Sequence, residues 1–201
     1  LAAVALCSLL PAMLQAADTR PVIVAFGDSL TAGYGLAPGE SYPDALQKLL
    51  DRRGARYRVV NQGISGDTTS GGAARVQQAL QLKPAIVILE LGANDGLRGL
   101  PLTATRANLA TMIDQFRKGG AKVLLAGITL PRNYGPDYIQ AFDKIYRDLA
   151  REKRVALLPF LLEGVATNPR LMQADALHPT AEGTRRVAAT VLEHLQPLLA
   201  H

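Results

Sequence analysis

Ser29, Asn94, Asp175 and His178 are the residues whose types and order could together do chemistry. A serine hydroxyl attacks a carbonyl only when a base takes its proton, and the base must be oriented by a third group. The chain has three histidines to draw on. His201 is the last residue, and His194 falls on a helical stretch where a solvated or structural role is expected. His178 stands in a loop before Pro179, which biases it to an extended backbone just ahead of a helix. Asp175, three residues earlier, can curl back to accept the imidazole Nδ1 proton. Acyl transfer also needs hydrogen-bond donors for its developing oxyanion. The candidates are the backbone N–H of Ser29, a loop N–H at Gly63 and the side-chain amide of Asn94. Glycine at position 63 lets the backbone approach a substrate closely.

Each residue alone has an ordinary reading. Gly27-Asp28-Ser29 serves as a turn, Gly63 as a loop glycine, Asn94-Asp95-Gly96 as a turn and Asp175 as a helix cap. Convergence is what argues for chemistry, and convergence depends on the elements that carry these residues.

Val22 to Phe26 is a short apolar run closed by Gly27, the pattern of a strand buried on both faces. Leu30 to Glu40 reads as a loop. Ser41 with Pro43 starts a helix whose Leu46, Leu49 and Leu50 share a face before Gly54 ends it. Tyr57 to Asn61 is a second strand, and Ala73, Val76 and Leu80 suit a short helix. Ala85 to Leu91 is the third strand. A helix over about residues 104 to 118 closes at Gly119-Gly120, and Lys122 to Ile128 is the fourth strand. Pro131 to Pro136 is a loop, followed by a helix facing inward with Ile139, Phe142, Ile145 and Leu149. Val155 to Leu158 is the fifth strand, Phe160 to Gln173 is irregular, and a last helix runs from Pro179 towards His194. Strands alternating with amphipathic helices imply a parallel sheet covered on both faces. Ser29, Gly63, Asn94, Asp175 and His178 then all follow carboxyl ends of strands, the edge where such sheets bind ligands.

Composition sets the bounds. The chain has 201 residues, 48% of them hydrophobic, enough for one well-buried core. Residues 1–17 are almost wholly apolar and uncharged and end in Gln15-Ala16-Ala17 before Asp18, as a secretory signal remnant does. The expected organisation is a signal remnant over 1–17 and a single domain over 18–201, exported to the periplasm or secreted. Cys7 is the one cysteine, and Leu6 before it lacks the small side chain of a lipid-attachment signal, so no stable membrane anchor is expected. A mature chain without cysteine has no disulfide, thiolate ligand or cysteine nucleophile. The net charge of +5 comes from scattered basic residues without interleaved aromatics, which argues against a nucleic-acid partner.

Four segments together carry a resemblance. Gly27-Asp28-Ser29-Leu30, Gly63-Ile64-Ser65-Gly66-Asp67, Gly92-Ala93-Asn94-Asp95 and Asp175-Ala176-Leu177-His178-Pro179 resemble, in order, the four blocks of the SGNH (GDSL) hydrolase family. The match is greatest with its branch of periplasmic thioesterases, lysophospholipases and arylesterases. The resemblance implies a three-layer α/β/α sandwich with a five-stranded parallel flavodoxin-like sheet. It also implies a metal-free, cofactor-free monomeric esterase with Ser29 as nucleophile. Ser29, Gly63 and Asn94 would form the oxyanion hole, and Asp175 and His178 the orienter and base. One position departs from the pattern: Ala176 stands where many relatives carry glycine.

Other classes fit less well. A metal-dependent phosphatase could use Asp28 but lacks a second nearby carboxylate at positions 29 to 32. A nucleotide-binding module would need a glycine-rich phosphate loop, and none follows a strand. A non-catalytic binding protein would have no use for the full catalytic set. For substrate, Leu97, Leu100, Leu130, Tyr134, Leu161, Leu162 and Val165 lie in loops expected near the site, an apolar lining suited to an acyl chain. The expected substrate is a small-molecule acyl ester or thioester, of lysophospholipid, aryl ester or acyl-CoA type, with a sugar O-acetyl ester as the alternative. The glycine-bracketed loop from Gly96 to Pro101 is the expected moving segment.

Overall fold

The computed structural model describes residues 18–199, so the expected signal remnant lies outside the described residues. Five strands form one sheet: β1 (Val22–Gly27), β2 (Arg58–Gly63), β3 (Pro84–Glu90), β4 (Lys122–Ala126) and β5 (Ala156–Leu158). They are all parallel, in the order β2-β1-β3-β4-β5. That is the flavodoxin-like order, and its direction reverses at β1, between β2 and β3. All six residues of β1 are buried, as a strand covered on both faces requires. Burying each of its larger side chains is worth about 1.5–3 kcal/mol.

The helices pack in two groups. The first pairs α2 (Tyr42–Arg52) with α7 (Ala181–Leu195), and the second joins α3 (Thr69–Leu80), α5 (Leu102–Lys118) and α6 (Pro136–Lys153). Phe26 of β1 meets Phe116 of α5 edge-on, centroids 5.2 Å apart, and the Arg75 guanidinium of α3 lies 3.9 Å from the Phe26 centroid. On the other helices, Ser41 and Asp44 cap α2 reciprocally, with Pro43 in the first turn.

Two short helices stand where loops are expected. Ser29–Ala32 (α1) is one helical turn, capped by the Asp28 carboxyl on the Leu30 N–H and ended by left-handed Gly33. Ala93–Leu97 (α4) is another, directly after β3. At four and five residues they are too short to leave a periodic apolar stripe. Helix α3 begins at Thr69 rather than near Ala73 because the Thr68 hydroxyl accepts the Gly71 N–H and sets the start. Strand β2 likewise runs on to Gly63, held by pairing with β1.

Candidate active site

Ser29 is the first residue of the turn after β1, so its side chain emerges at the carboxyl end of the central strand. Its Oγ lies 2.9 Å from His178 Nε2, and His178 Nδ1 lies 2.6 Å from Asp175 Oδ2. The loop that carries the latter two residues is tied from several sides. Asp175 Oδ1 accepts the backbone N–H groups of Leu177 and His178 at 2.9 and 3.0 Å. The Gln173 N–H donates to the His178 carbonyl at 2.7 Å, and its side-chain amide donates to the Tyr34 and Pro179 carbonyls at 2.8 and 2.9 Å. Burial would raise the Asp175 pKa, but the hydrogen bonds from the His178 ring and the two N–H groups outweigh it and hold the carboxyl at about 2. Ala176 sits at φ 55°, a left-handed conformation that explains why glycine suits that position.

Of the three expected oxyanion donors, one backbone N–H is already engaged elsewhere. The Ser29 N–H opens a helix and has no intrahelical acceptor. The Gly63 N–H instead donates to Asn61 Oδ1 at 2.9 Å. A Cβ at Gly63 would come within 2.2 Å of the Ala32 nitrogen, so this glycine serves close backbone packing, and its assignment as an oxyanion donor is corrected. Three residues on, Gly66 (φ +81°) lines the same cavity as Ser29, Asn94 and His178, and its N–H has no acceptor among the described residues. The Gly66 carbonyl accepts from Arg98 Nη2 at 2.9 Å, and the same nitrogen reaches Asn94 Oδ1 at 3.4 Å. Asn94 Nδ2 donates to Asp28 Oδ2 at 3.1 Å and to the Asp67 carbonyl at 2.9 Å.

A cavity of about 560 Å³ opens beside Ser29 and His178. Of the proposed apolar lining, Leu97, Leu130 and Leu162 border it. Leu161 and Val165 do not, because both are wholly buried in the core. Leu100 is exposed outside the cavity, and Tyr134 stands behind the wall, donating its hydroxyl to the Leu97 carbonyl at 2.8 Å. Ile128, Phe160, Met172 and Leu177 complete an apolar surface that the sequence reading passed over.

Residues 25–186 match the model of the GDSL-like Lipase/Acylhydrolase family. The chain belongs to this family. It is 46% identical over 194 residues to the "Esterase TesA" of Pseudomonas aeruginosa, covering 96% of each chain. It is 41% identical over 187 residues to the "Thioesterase 1/protease 1/lysophospholipase L1" of Escherichia coli K12, covering 92% of this chain and 87% of that one. The solved "Crystal Structure of TesA" superposes with a TM-score of 0.86 at 47% identity, over 89% of this chain and 99% of the other. Like these relatives, this GDSL-like acylhydrolase is a carboxylic ester hydrolase.

Several side chains that shape the GDSL-family site carried no readable signal. Tyr34 is 53% exposed yet lays its ring over His178, centroids 4.6 Å apart. Arg75 pairs with Asp67 at 2.8 Å and donates to the carbonyls of Gln62 and Gly27 at 2.9 Å each, tying the ends of β1 and β2 to the loop that holds Gly66. Asp95 is buried and accepts the Thr69 N–H at 2.8 Å, joining the turn after β3 to the start of α3. Such roles follow from partners distant in sequence. Among the described residues no helix is long and apolar enough to cross a membrane.

Proposed function

We propose that this acylhydrolase cleaves medium to long acyl esters and thioesters through an acyl-enzyme on Ser29. The observation that carries this reading is the chain from Ser29 Oγ to His178 Nε2, and from His178 Nδ1 to Asp175 Oδ2, at 2.9 and 2.6 Å, at the mouth of a largely apolar cavity.

Ser29 Oγ attacks the substrate carbonyl while His178 Nε2 takes its proton. Asp175 holds the ring in the tautomer that leaves Nε2 free to accept, and balances the charge of the imidazolium. The carbonyl oxygen becomes an oxyanion facing the N–H groups of Ser29 and Gly66. The Asn94 N–H now resting on Asp28, the longer of its two hydrogen bonds, turns to that oxygen as charge builds. Collapse breaks the bond to the leaving alcohol or thiol, which receives the proton from His178. Water, deprotonated by the same nitrogen, then attacks the acyl-Ser29 carbonyl and releases the acid.

The apolar wall at Leu97, Leu130 and Leu162 offers an acyl chain a place out of water. A sugar O-acetylesterase would need little of that surface. The apolar, uncharged character of residues 1–17 supports export to the periplasm or beyond, with residues 18–201 as the mature domain acting as a monomer. A periplasmic site makes lysophospholipid or another exported ester the more fitting substrate than a cytosolic acyl-CoA. Hydrolysis of p-nitrophenyl esters from acetyl to palmitoyl tests the substrate reading. kcat/KM rising beyond short chains supports it, and activity confined to acetate would favour the sugar ester.

A further inference from the structure

Behind Ser29 lie two carboxyl groups that the hydrolytic steps do not use. Asp28 and Glu90 are both wholly buried, at the carboxyl ends of the neighbouring strands β1 and β3. Glu90 Oε2 accepts the Asp28 N–H at 3.3 Å and the Thr31 hydroxyl at 2.7 Å. Its other oxygen, Oε1, is buried with no hydrogen-bond partner among the described residues, and the Asp28 and Glu90 carboxyls are close enough to interact through their side chains. Asp28 in turn accepts the Leu30 N–H through Oδ1 at 3.0 Å and the Asn94 amide through Oδ2 at 3.1 Å.

We propose that Glu90 is a positioning residue: its carboxyl stays protonated and donates that hydrogen to the Asp28 carboxylate, so the pair behind Ser29 carries a single negative charge. A carboxylate oxygen buried without a donor is costly, whereas a carboxylic acid O–H beside a carboxylate satisfies both groups. Among the described residues no lysine or arginine side chain donates to either carboxyl. The other titratable groups facing the pair are the Tyr42 and Tyr146 phenols and, towards Asp28, His178. Burial, followed by the charge of Asp28, drives the Glu90 pKa well upward, and burial raises Asp28 only to about 6. Asp28 has an N–H donor on each oxygen whereas Glu90 Oε1 has none, so Asp28 is the member that ionises first. Its single charge holds the Asn94 amide yet yields one N–H when the oxyanion forms, while a second charge would compete with that oxyanion.

The test uses the intact protein and has two arms. Infrared spectra at pH 8 are expected to contain a protonated-carboxyl C=O band that disappears in Glu90→Gln. The glutamine variant offers an oxygen to Asp28 N–H and Thr31 and an N–H to the Asp28 carboxylate, so kcat within about twofold of wild type is expected. Glu90→Met, which removes the donor, is expected to lose tenfold or more in kcat with KM within twofold. Absence of the band, failure of Glu90→Gln to fold or keep its kcat, or an unchanged kcat in Glu90→Met overturns the proposal. The kinetic arm rests on the acylhydrolase mechanism proposed above. The infrared arm does not, so the two can fail separately.

Discussion

Asn61 Oδ1 accepts the backbone N–H of Gly63 at 2.9 Å, so that N–H is engaged, while Gly66, the donor proposed in its place, lines the cavity beside Ser29. The two glycines should then respond differently to alanine. In Gly63→Ala the added methyl meets the Ala32 backbone, so the expected loss is in stability and is read in the unfolding midpoint. Gly66→Ala adds a methyl in ordinary contact with Arg98 Nη2 at 3.7 Å but has an unfavourable φ of +81°, which turns its N–H. The expected loss is in kcat, on the order of 10²-fold, with KM little changed.

Arg98 joins the carbonyl of Gly66 to the side chain of Asn94 through one nitrogen. Replacing it by methionine frees both partners. A fall of roughly tenfold in kcat with KM held is expected, because the lost interaction matters only when the oxyanion forms. Steady-state kinetics on a single p-nitrophenyl ester measure it.

The Asp175 carboxyl is held at about 2, below the ordinary aspartate value of about 3.9, so its contribution to the His178 loop is fully present above pH 4 and is lost as pH falls through 2. It stays ionised wherever the enzyme is assayed. Asp175→Asn keeps the shape but offers an N–H to Nδ1 and forces the wrong tautomer. A kcat loss on the order of 10²–10⁴-fold is expected across pH 5 to 9.

Asp28 has the opposite sign. Burial lifts its folded pKa to about 6, so the stability tied to its proton is complete below about pH 4 and is lost as pH rises through 6. The change is on the order of 2 kcal/mol. The unfolding midpoint of Asp28→Asn should therefore gain on that of wild type by roughly 5 °C between pH 4 and 7.

Much of this was legible in the chain. Strands β1, β3 and β4 announce themselves as apolar runs, and α2, α5 and α6 by apolar residues three and four apart, because those side chains meet a continuous core. Ser29, Asp175 and His178 were legible because a base before a proline and an acid three residues earlier leave few other readings. The glycine proposed as oxyanion donor was not, since Gly63 ends β2, Gly66 follows it, and only an Asx-type turn from Asn61 decides which N–H is free. Leu161 and Leu162 are equally apolar in sequence, and the turn after β5 alone sends one to the core and the other to the cavity. Glu90 stood only as a charged residue within the third strand, because the partners behind the role proposed for it, Asp28 and Thr31, lie some sixty residues away.

Ala176 pays for a left-handed backbone without the freedom of glycine. Relief of about 1 kcal/mol of strain, less the greater chain entropy of an unfolded glycine, should make Ala176→Gly slightly more stable, by about 0.5 kcal/mol. Denaturant titration with an unchanged slope checks it, and kcat should hold because the Asp175–His178 hydrogen bonds are kept.

The most direct test of the mechanism is to quench the enzyme during turnover of a long-chain p-nitrophenyl ester and locate the acyl group by peptide mass spectrometry. Acyl mass on the peptide containing Ser29, and neither adduct nor turnover in Ser29→Ala, is the expected result. Turnover that persists in Ser29→Ala, or an acyl group on another residue, would contradict it.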